Sequence, residues 1–232
     1  NNQNELQWGL SLESMLKEID IMITYFNGYD FSSSYSGNLN LFEYRKTNVL
    51  GLSTVSFLND LSFRTEIAYF DTKTTLKLEN SANYSAQYYQ YVFQLEKTIF
   101  SNIILSSQII GNKLINANGK IKKDDQTIAK VNSNNFIMKL GTPLAGFSKN
   151  ILLLSSKKGF MNNIFEISVI GMIDLEKTGY LMNTNIEYSP IQNWLISFSN
   201  SNFMGNADKN TSNIFTLLED FSNISISVKY SF

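Results

Sequence analysis

The chain has 232 residues, 43% of them hydrophobic and 17% charged, with a net charge of −1. Soluble domains carry about 25% charged residues, so the polarity here comes from uncharged Asn, Ser and Thr, and near-neutrality removes the electrostatic basis for a nucleic-acid partner. The absence of Cys excludes a disulfide scaffold or a thiolate metal site, and the absence of His removes the usual general base, the Ser–His and Cys–His pairs and the commonest zinc ligand.

The longest unbroken aliphatic run, 151–154, is far shorter than the roughly 20 residues a membrane-crossing helix needs. What recurs is period-2 alternation in segments of about 10 residues. Leu6, Trp8, Leu10 and Leu12 oppose Gln7, Ser11 and Glu13. After a short turn at 16–18, Ile19, Ile21, Ile23 and Tyr25 oppose Asp20 and Thr24. A long loop at 27–44 leads to a strand near 48–58 whose facing stays open. Beyond the turn at 59–60, Leu61, Phe63, Ile67 and Tyr69 oppose Ser62, Arg64 and Glu66. A second long loop, 72–86, precedes Tyr89, Tyr91, Phe93 and Leu95, which oppose Gln90, Gln94 and Glu96. The turn at 100–102 leads to Ile103, Leu105 and Ile109 against Ser106 and Gln108.

Residues 111–149 read as the longest loop, and 150–160 as a strand of open facing. After a turn at 161–163, Phe165, Ile167, Val169 and Ile173 alternate with Glu166, Ser168 and Asp174. A short link at 176–178 precedes Tyr180, Met182, Ile186 and Tyr188, opposed by Asn183, Asn185 and Glu187. The turn at 189–192 gives way to Trp194, Ile196 and Phe198 against Leu195, Ser197 and Ser199. A loop at 204–222 precedes the clearest segment, Ile224, Ile226, Val228, Tyr230 and Phe232 against Ser225, Ser227, Lys229 and Ser231.

These eleven segments, joined alternately by short turns and long loops, describe an all-β, antiparallel up-and-down transmembrane β-barrel of about 11–12 strands, spanning 1–232 as one domain. Single-chain bacterial barrels have even strand numbers. Either a strand is hidden near 134–140, or the chain is the C-terminal portion of a larger barrel; its abrupt start, without Met, favours the latter. Short turns would face the periplasm and long loops the cell surface. A soluble sandwich also alternates. Lipid is favoured by charged residues in mid-strand on the polar face, by aromatics near the ends of the apolar faces, and by strands longer than the usual 5–6 residues.

The terminal stretch Ile224-Ser-Ile-Ser-Val-Lys-Tyr-Ser-Phe232 resembles the C-terminal signal read by barrel-assembly machinery, with Ile226, Val228, Tyr230 and Phe232 in the apolar and aromatic positions. More of the chain is similar to porin-like outer-membrane proteins akin to alginate-export barrels. The similar pieces are Trp8-Gly-Leu, Ile23-Thr-Tyr-Phe-Asn-Gly-Tyr29, Leu61-Ser-Phe-Arg-Thr-Glu-Ile-Ala-Tyr-Phe70, Glu187-Tyr-Ser-Pro-Ile-Gln-Asn-Trp194 and Phe203-Met-Gly205. The resemblance implies a channel or export pore in the outer membrane of a Gram-negative bacterium, and simple diffusion through it would need no cofactor. It also implies that further strands precede the first one seen here.

The candidate site residues follow from facing. Arg64, Glu66, Glu96, Glu166 and Glu187 are candidates for the lumen or a constriction that selects by charge; a wall-stiffening ion-pair network is the plainer role for Arg64 and Glu66. The polar-face acids Glu13, Asp20, Glu66, Glu96, Glu166, Asp174 and Glu187 outnumber Arg64 and Lys229, which would favour cations or neutral solutes. Trp8, Tyr69, Tyr188, Trp194 and Tyr230 are expected at the lipid–water interface. The apolar run 136–147 could plug the mouth, form an extra strand or pack on the rim. Asp124 and Asp125 read as solvated rather than as a calcium site, and no metal or catalytic site is expected. The sequence thus points to a porin-like channel for a small solute, or alternatively to a structural or surface-interaction barrel that transports nothing. Its partners would be the bilayer and the assembly machinery.

Overall fold

The alternating segments are strands in a computed structural model that describes residues 6–30, 33–35, 42–75, 83–100, 102–122, 128–132, 136, 148–205 and 214–231. The strands are β1 (Trp8–Leu16), β2 (Ile19–Tyr29), β3 (Ser34–Tyr35), β4 (Phe42–Glu43), β5 (Lys46–Leu58), β6 (Leu61–Lys73), β7 (Asn83–Ile99) and β8 (Ile103–Lys122). They continue with β9 (Ile128–Lys130), β10 (Asn150–Phe160), β11 (Phe165–Asp174), β12 (Gly179–Tyr188), β13 (Trp194–Gly205) and β14 (Asn223–Tyr230). One antiparallel up-and-down sheet runs in the order β1-β2-β5-β6-β7-β8-β10-β11-β12-β13-β14, with β9 added to β8 and β3-β4 forming a separate small hairpin. Among the described residues β1 and β14 do not pair with each other, so what is seen is an up-and-down sheet and not a closed cylinder.

The five short turns sit where the sequence places them. Seven non-glycine residues of the described reversals have positive φ: Lys17, Phe100 and Met161 join Asn59, Asn162, Asn163 and Asn193. Tight reversals force this conformation, and Asn accepts it more readily than other non-glycine residues. The opposite connections are shorter than the sequence suggests, because the strands extend further. β8 continues to Lys122, twelve residues into the segment expected as loop, and β2 and β7 also reach past their expected ends. Local polarity (Asn, Lys, Gly) masked these extensions, while ladder pairing with neighbours decided them. Gly119 lies in the β8 extension with φ of 110°. A Cβ there would run into the backbone of Asn83 and Tyr84, so the close approach of β7 requires glycine.

By contact the described chain forms two compact units. Unit 1 comprises Asn1–Ser56, Arg64–Val92 and Gly111–Gly146. Its register carries Leu10, Tyr25 and Leu50 into one row and Leu12, Ile23 and Leu52 into the next. On the other face lie Ser11, Thr24 and Gly51, then Glu13, Met22 and Ser53. The facing of β5 is thereby settled. Its core (Phe70, Tyr84, Ala86, Tyr88, Val131 and Phe136) sits on the polar face, the side opposite the exposed Ile67 and Tyr69.

Unit 2 comprises Phe57–Phe63, Phe93–Ile110 and Phe147–Phe232. Here the rows are Phe165–Tyr188–Ile196–Val228 and Leu152–Ile173–Tyr180–Met204 on the apolar face. The reverse face carries Ser168–Asn185–Ser199–Ser225 and Glu166–Glu187–Ser197–Ser227. This settles β10 as well, with Leu152, Leu154 and Phe160 in the apolar rows and Lys157 on the reverse. The reverse face is not wholly polar, since Ile170 and the buried Met172 belong to it. A short helix α1 (Ile214–Leu217) and a 3-10 turn (Glu219–Phe221) follow β13, tied back by Glu219 Oε1 accepting from Gly205 N at 2.8 Å and Ser222 Oγ accepting from Phe203 N at 3.0 Å. No helix among the described residues is long and apolar enough to cross a membrane, which says nothing about strands.

Candidate functional site

In unit 2 the polar face presents a carpet of amides and hydroxyls with a few charges. Asn183 Nδ2 donates to Ser201 Oγ at 2.7 Å, across the β12–β13 ladder. Glu166 and Glu187 stand directly opposite each other on β11 and β12. Two like charges so placed repel, and the surroundings answer this: Lys157 Nζ lies 2.7 Å from Glu166 Oε1, and Asn185 Nδ2 donates to Glu187 Oε1 at 2.9 Å. Sequence reasoning found both acids but missed Lys157, because the facing of 150–160 was open. No signal in the segment itself fixes it, since Ile151 and Leu153 oppose Leu152 and Leu154, and Lys157 opposes Lys158. Glu96 is half-buried on β7 in the same unit.

In unit 1, Arg64 and Glu66 share the polar face of β6, as their spacing implies, and both are exposed. Among the described residues no ion pair joins them. The buried charges lie elsewhere. Asp30 just after β2 and Arg45 just before β5 have side chains with no exposed surface. Asp30 Oδ2 accepts from Arg45 Nε at 2.7 Å and lies 2.6 Å from the second guanidinium nitrogen. Asp30 N donates to Arg45 O at 2.9 Å, and Thr47 Oγ1 donates to Asp30 Oδ1 and meets Thr72 Oγ1 at 2.8 Å. Nearby, the buried Glu43 accepts from Thr75 N at 2.8 Å. Burial works against the Arg45 charge, but the Asp30 carboxylate and the Tyr84 and Tyr88 hydroxyls outweigh it, and the guanidinium pKa stays above its ordinary value.

Over this ion pair lies Phe136. Its ring is 5.3 Å from the Arg45 guanidinium carbon, 5.7 Å from the Tyr84 ring at an edge-on 83°, and 5.5 Å from Tyr88. Tyr88 in turn stacks on Phe70 at 4.7 Å. The segment reaches this position because β9 pairs with β8 and Val131 N donates to Gly119 O at 3.2 Å. Of the apolar run 136–147, only Phe136 is among the described residues, and it packs on the polar face. Nothing in the alternation pattern announces the Asp30–Arg45 pair, since both residues stand in the segment expected as loop or at its edge.

The five aromatics expected at an interface all lie exposed in apolar rows: Trp8, Tyr69, Tyr188, Trp194 and Tyr230. Trp8 packs on Tyr25 at 5.1 Å and Trp194 on Tyr230 at 5.2 Å, so each tryptophan has a cross-strand or near-neighbour aromatic. Along β12, Tyr180 and Tyr188 bracket the apolar row, separated by roughly 26 Å of strand at about 3.3 Å per residue. Of the terminal assembly pattern, Ile226, Val228 and Tyr230 occupy one exposed face of β14, while Phe232 lies outside the described residues. So do Asp124 and Asp125, and the stretch 134–135 and 137–140. Among the described residues no cluster of three or more potential metal ligands occurs.

Compared with protein-family models, curated proteins and solved structures, the chain has no match.

Proposed function

We propose that this chain forms the wall of a porin-like β-barrel in the outer membrane of a Gram-negative bacterium, conducting a small polar solute without a cofactor. The single observation that carries the reading is the two-faced ladder of unit 2. Apolar side chains of five successive strands line up in register and stay exposed, with Ile226 73%, Met182 48% and Leu154 43% accessible. A water-soluble protein rarely leaves so much contiguous apolar area uncovered. Lipid would cover it, and on a tilted strand the Tyr180 and Tyr188 brackets would enclose about 20 Å of an apolar band about 25 Å tall. The hydroxyl and amide carpet on the reverse would meet water in a lumen, where Glu166, Glu187 and Lys157, with Arg64, Glu66 and Glu96, would set charge preference. Closing the cylinder would also pair strand edges whose amides find no water in lipid. The similarity to alginate-export barrels belongs to this reading, as do the bilayer and the assembly machinery as partners.

The test is reconstitution into a planar bilayer. Discrete ohmic steps are expected. Protein that stays monodisperse without detergent and never inserts would overturn the membrane assignment. A second reading, a structural or surface-interaction barrel without transport, draws on Val131 and Phe136 lying across the polar face of unit 1. Phe136→Ala separates the two. A pore partly occupied by this segment gains conductance in the variant, whereas a folded barrel that is silent both before and after the substitution is structural.

A further inference from the structure

The apolar face of unit 2 is not an even wall. It holds a depression of about 710 Å³, bounded by Leu95, Leu105, Leu154, Ile173, Tyr180 and Met182. Its floor is low because three positions in the apolar rows carry almost no side chain: Ser107, Ser156 and Gly171. A Cβ added at Gly171 would meet nothing nearer than the Leu154 carbonyl oxygen at 4.0 Å, so the space above this glycine is open. The volume falls within the range of about 300–1,000 Å³ common for small-molecule sites.

Two lysines stand on this same face, where a purely lipid-facing wall would carry none. Lys97 borders the depression and continues the exposed row of Phe93 and Leu95. Lys158 shares its face with Leu154 and Phe160, and its ammonium lies 4.8 Å from the centre of the Phe160 ring. Each lysine is two residues from the short-turn end of its strand, β7 or β10. The two ends are neighbours through β8, whose preceding residue Asn102 donates from Nδ2 to Gly159 O at 3.0 Å. The face therefore has a greasy trough and, at its short-turn end, two cations within reach of snorkelling.

We infer that this trough binds an anionic glycerophospholipid, one acyl chain lying over Gly171 and Ser156 and the phosphate diester held between Lys97 and Lys158. The inference rests on the membrane reading above and assigns a specific lipid to one place on the wall. Charge complementarity selects the occupant. A second copy of the chain would bring the same two cations against themselves across a symmetric contact, and a neutral lipid would leave them without a counter-charge. Interfacial lysines favour anionic headgroups by about fivefold each.

The experiment uses the whole chain folded into phosphatidylcholine vesicles containing a minority of phosphatidylglycerol. Insertion is checked first by the mobility difference between heated and unheated samples on a gel. Gentle detergent extraction and native mass spectrometry then count retained lipids. The expected result is one phosphatidylglycerol per chain, not displaced by inorganic phosphate. The Lys97→Gln/Lys158→Gln variant should lose retention by about 25-fold. Gly171→Leu, which fills the trough, should lose it while the lysines stay. Equal retention of the two lipids by the inserted protein overturns the site, and so do variants that keep the lipid. A dimer that Gly171→Leu abolishes overturns it in favour of a second copy. Failure of the unaltered protein to insert at all overturns the membrane reading, and the site falls with it.

Discussion

Asp30 and Arg45 show how much depends on a single pair of residues. Two charges without exposed surface are tolerable because each oxygen of Asp30 has a donor, from Arg45 or Thr47. Removing one partner leaves the other charged and buried. Arg45→Met should cost about 3–5 kcal/mol, whereas the Asp30→Asn/Arg45→Met double variant should recover most of that loss. Urea unfolding of the protein in vesicles, followed by tryptophan fluorescence, measures both; a double variant no more stable than Arg45→Met would show the pair is not coupled. None of this was legible beforehand. Asp30 and Arg45 are fifteen residues apart in a polar stretch, and only the pairing of Tyr29 with Lys46 brings them together. Arg64 and Glu66, by contrast, are conspicuous in the sequence because they interrupt an apolar strand, yet both are exposed and neither holds the other.

At the level of the element, the turns were easier to read than the loops, and the physical reason is range. A two- to four-residue reversal is a local problem, solved by residues that accept positive φ, and Asn59, Asn162, Asn163 and Asn193 announce it. Where β8 stops is not local. Asn112, Lys113, Asn116 and Asn118 read as loop, but the strand goes on to Lys122, where Lys120–Lys122 pair with β9. The facing of β10 was open for a related reason: 151–154 is apolar on both sides, and only its register with β11 decides. The turn at Asn193, with φ of 72°, gives a test at this scale. Asn193→Gly should be neutral or slightly stabilising, and Asn193→Ile should cost about 1–2 kcal/mol, both read from the same urea midpoints. Equal effects from the two substitutions would mean the backbone there is relaxed.

For the molecule as a whole, the testable content is which face meets lipid. Val169 sits at the middle of β11 and Ser199 at the middle of β13, on opposite faces. If the apolar face lies in a bilayer, Val169→Arg should cost about 2–4 kcal/mol. Ser199→Arg, pointing into water, should stay within about 0.5 kcal/mol. Refolding yield and urea midpoints in vesicles check both, and a reversed order would invert the assignment of faces. The sheet itself was readable because alternation is a property of each strand alone. Whether it closes was not, since closure depends on the pairing of β1 and β14, which no strand encodes by itself.

The serine and asparagine rows of β11 to β14 have a further consequence. Hydroxyl and carboxamide groups neither gain nor lose protons in ordinary water, and the chain contains no imidazole. Those rows would therefore present the same charge whether the water beside them is mildly acidic or mildly alkaline.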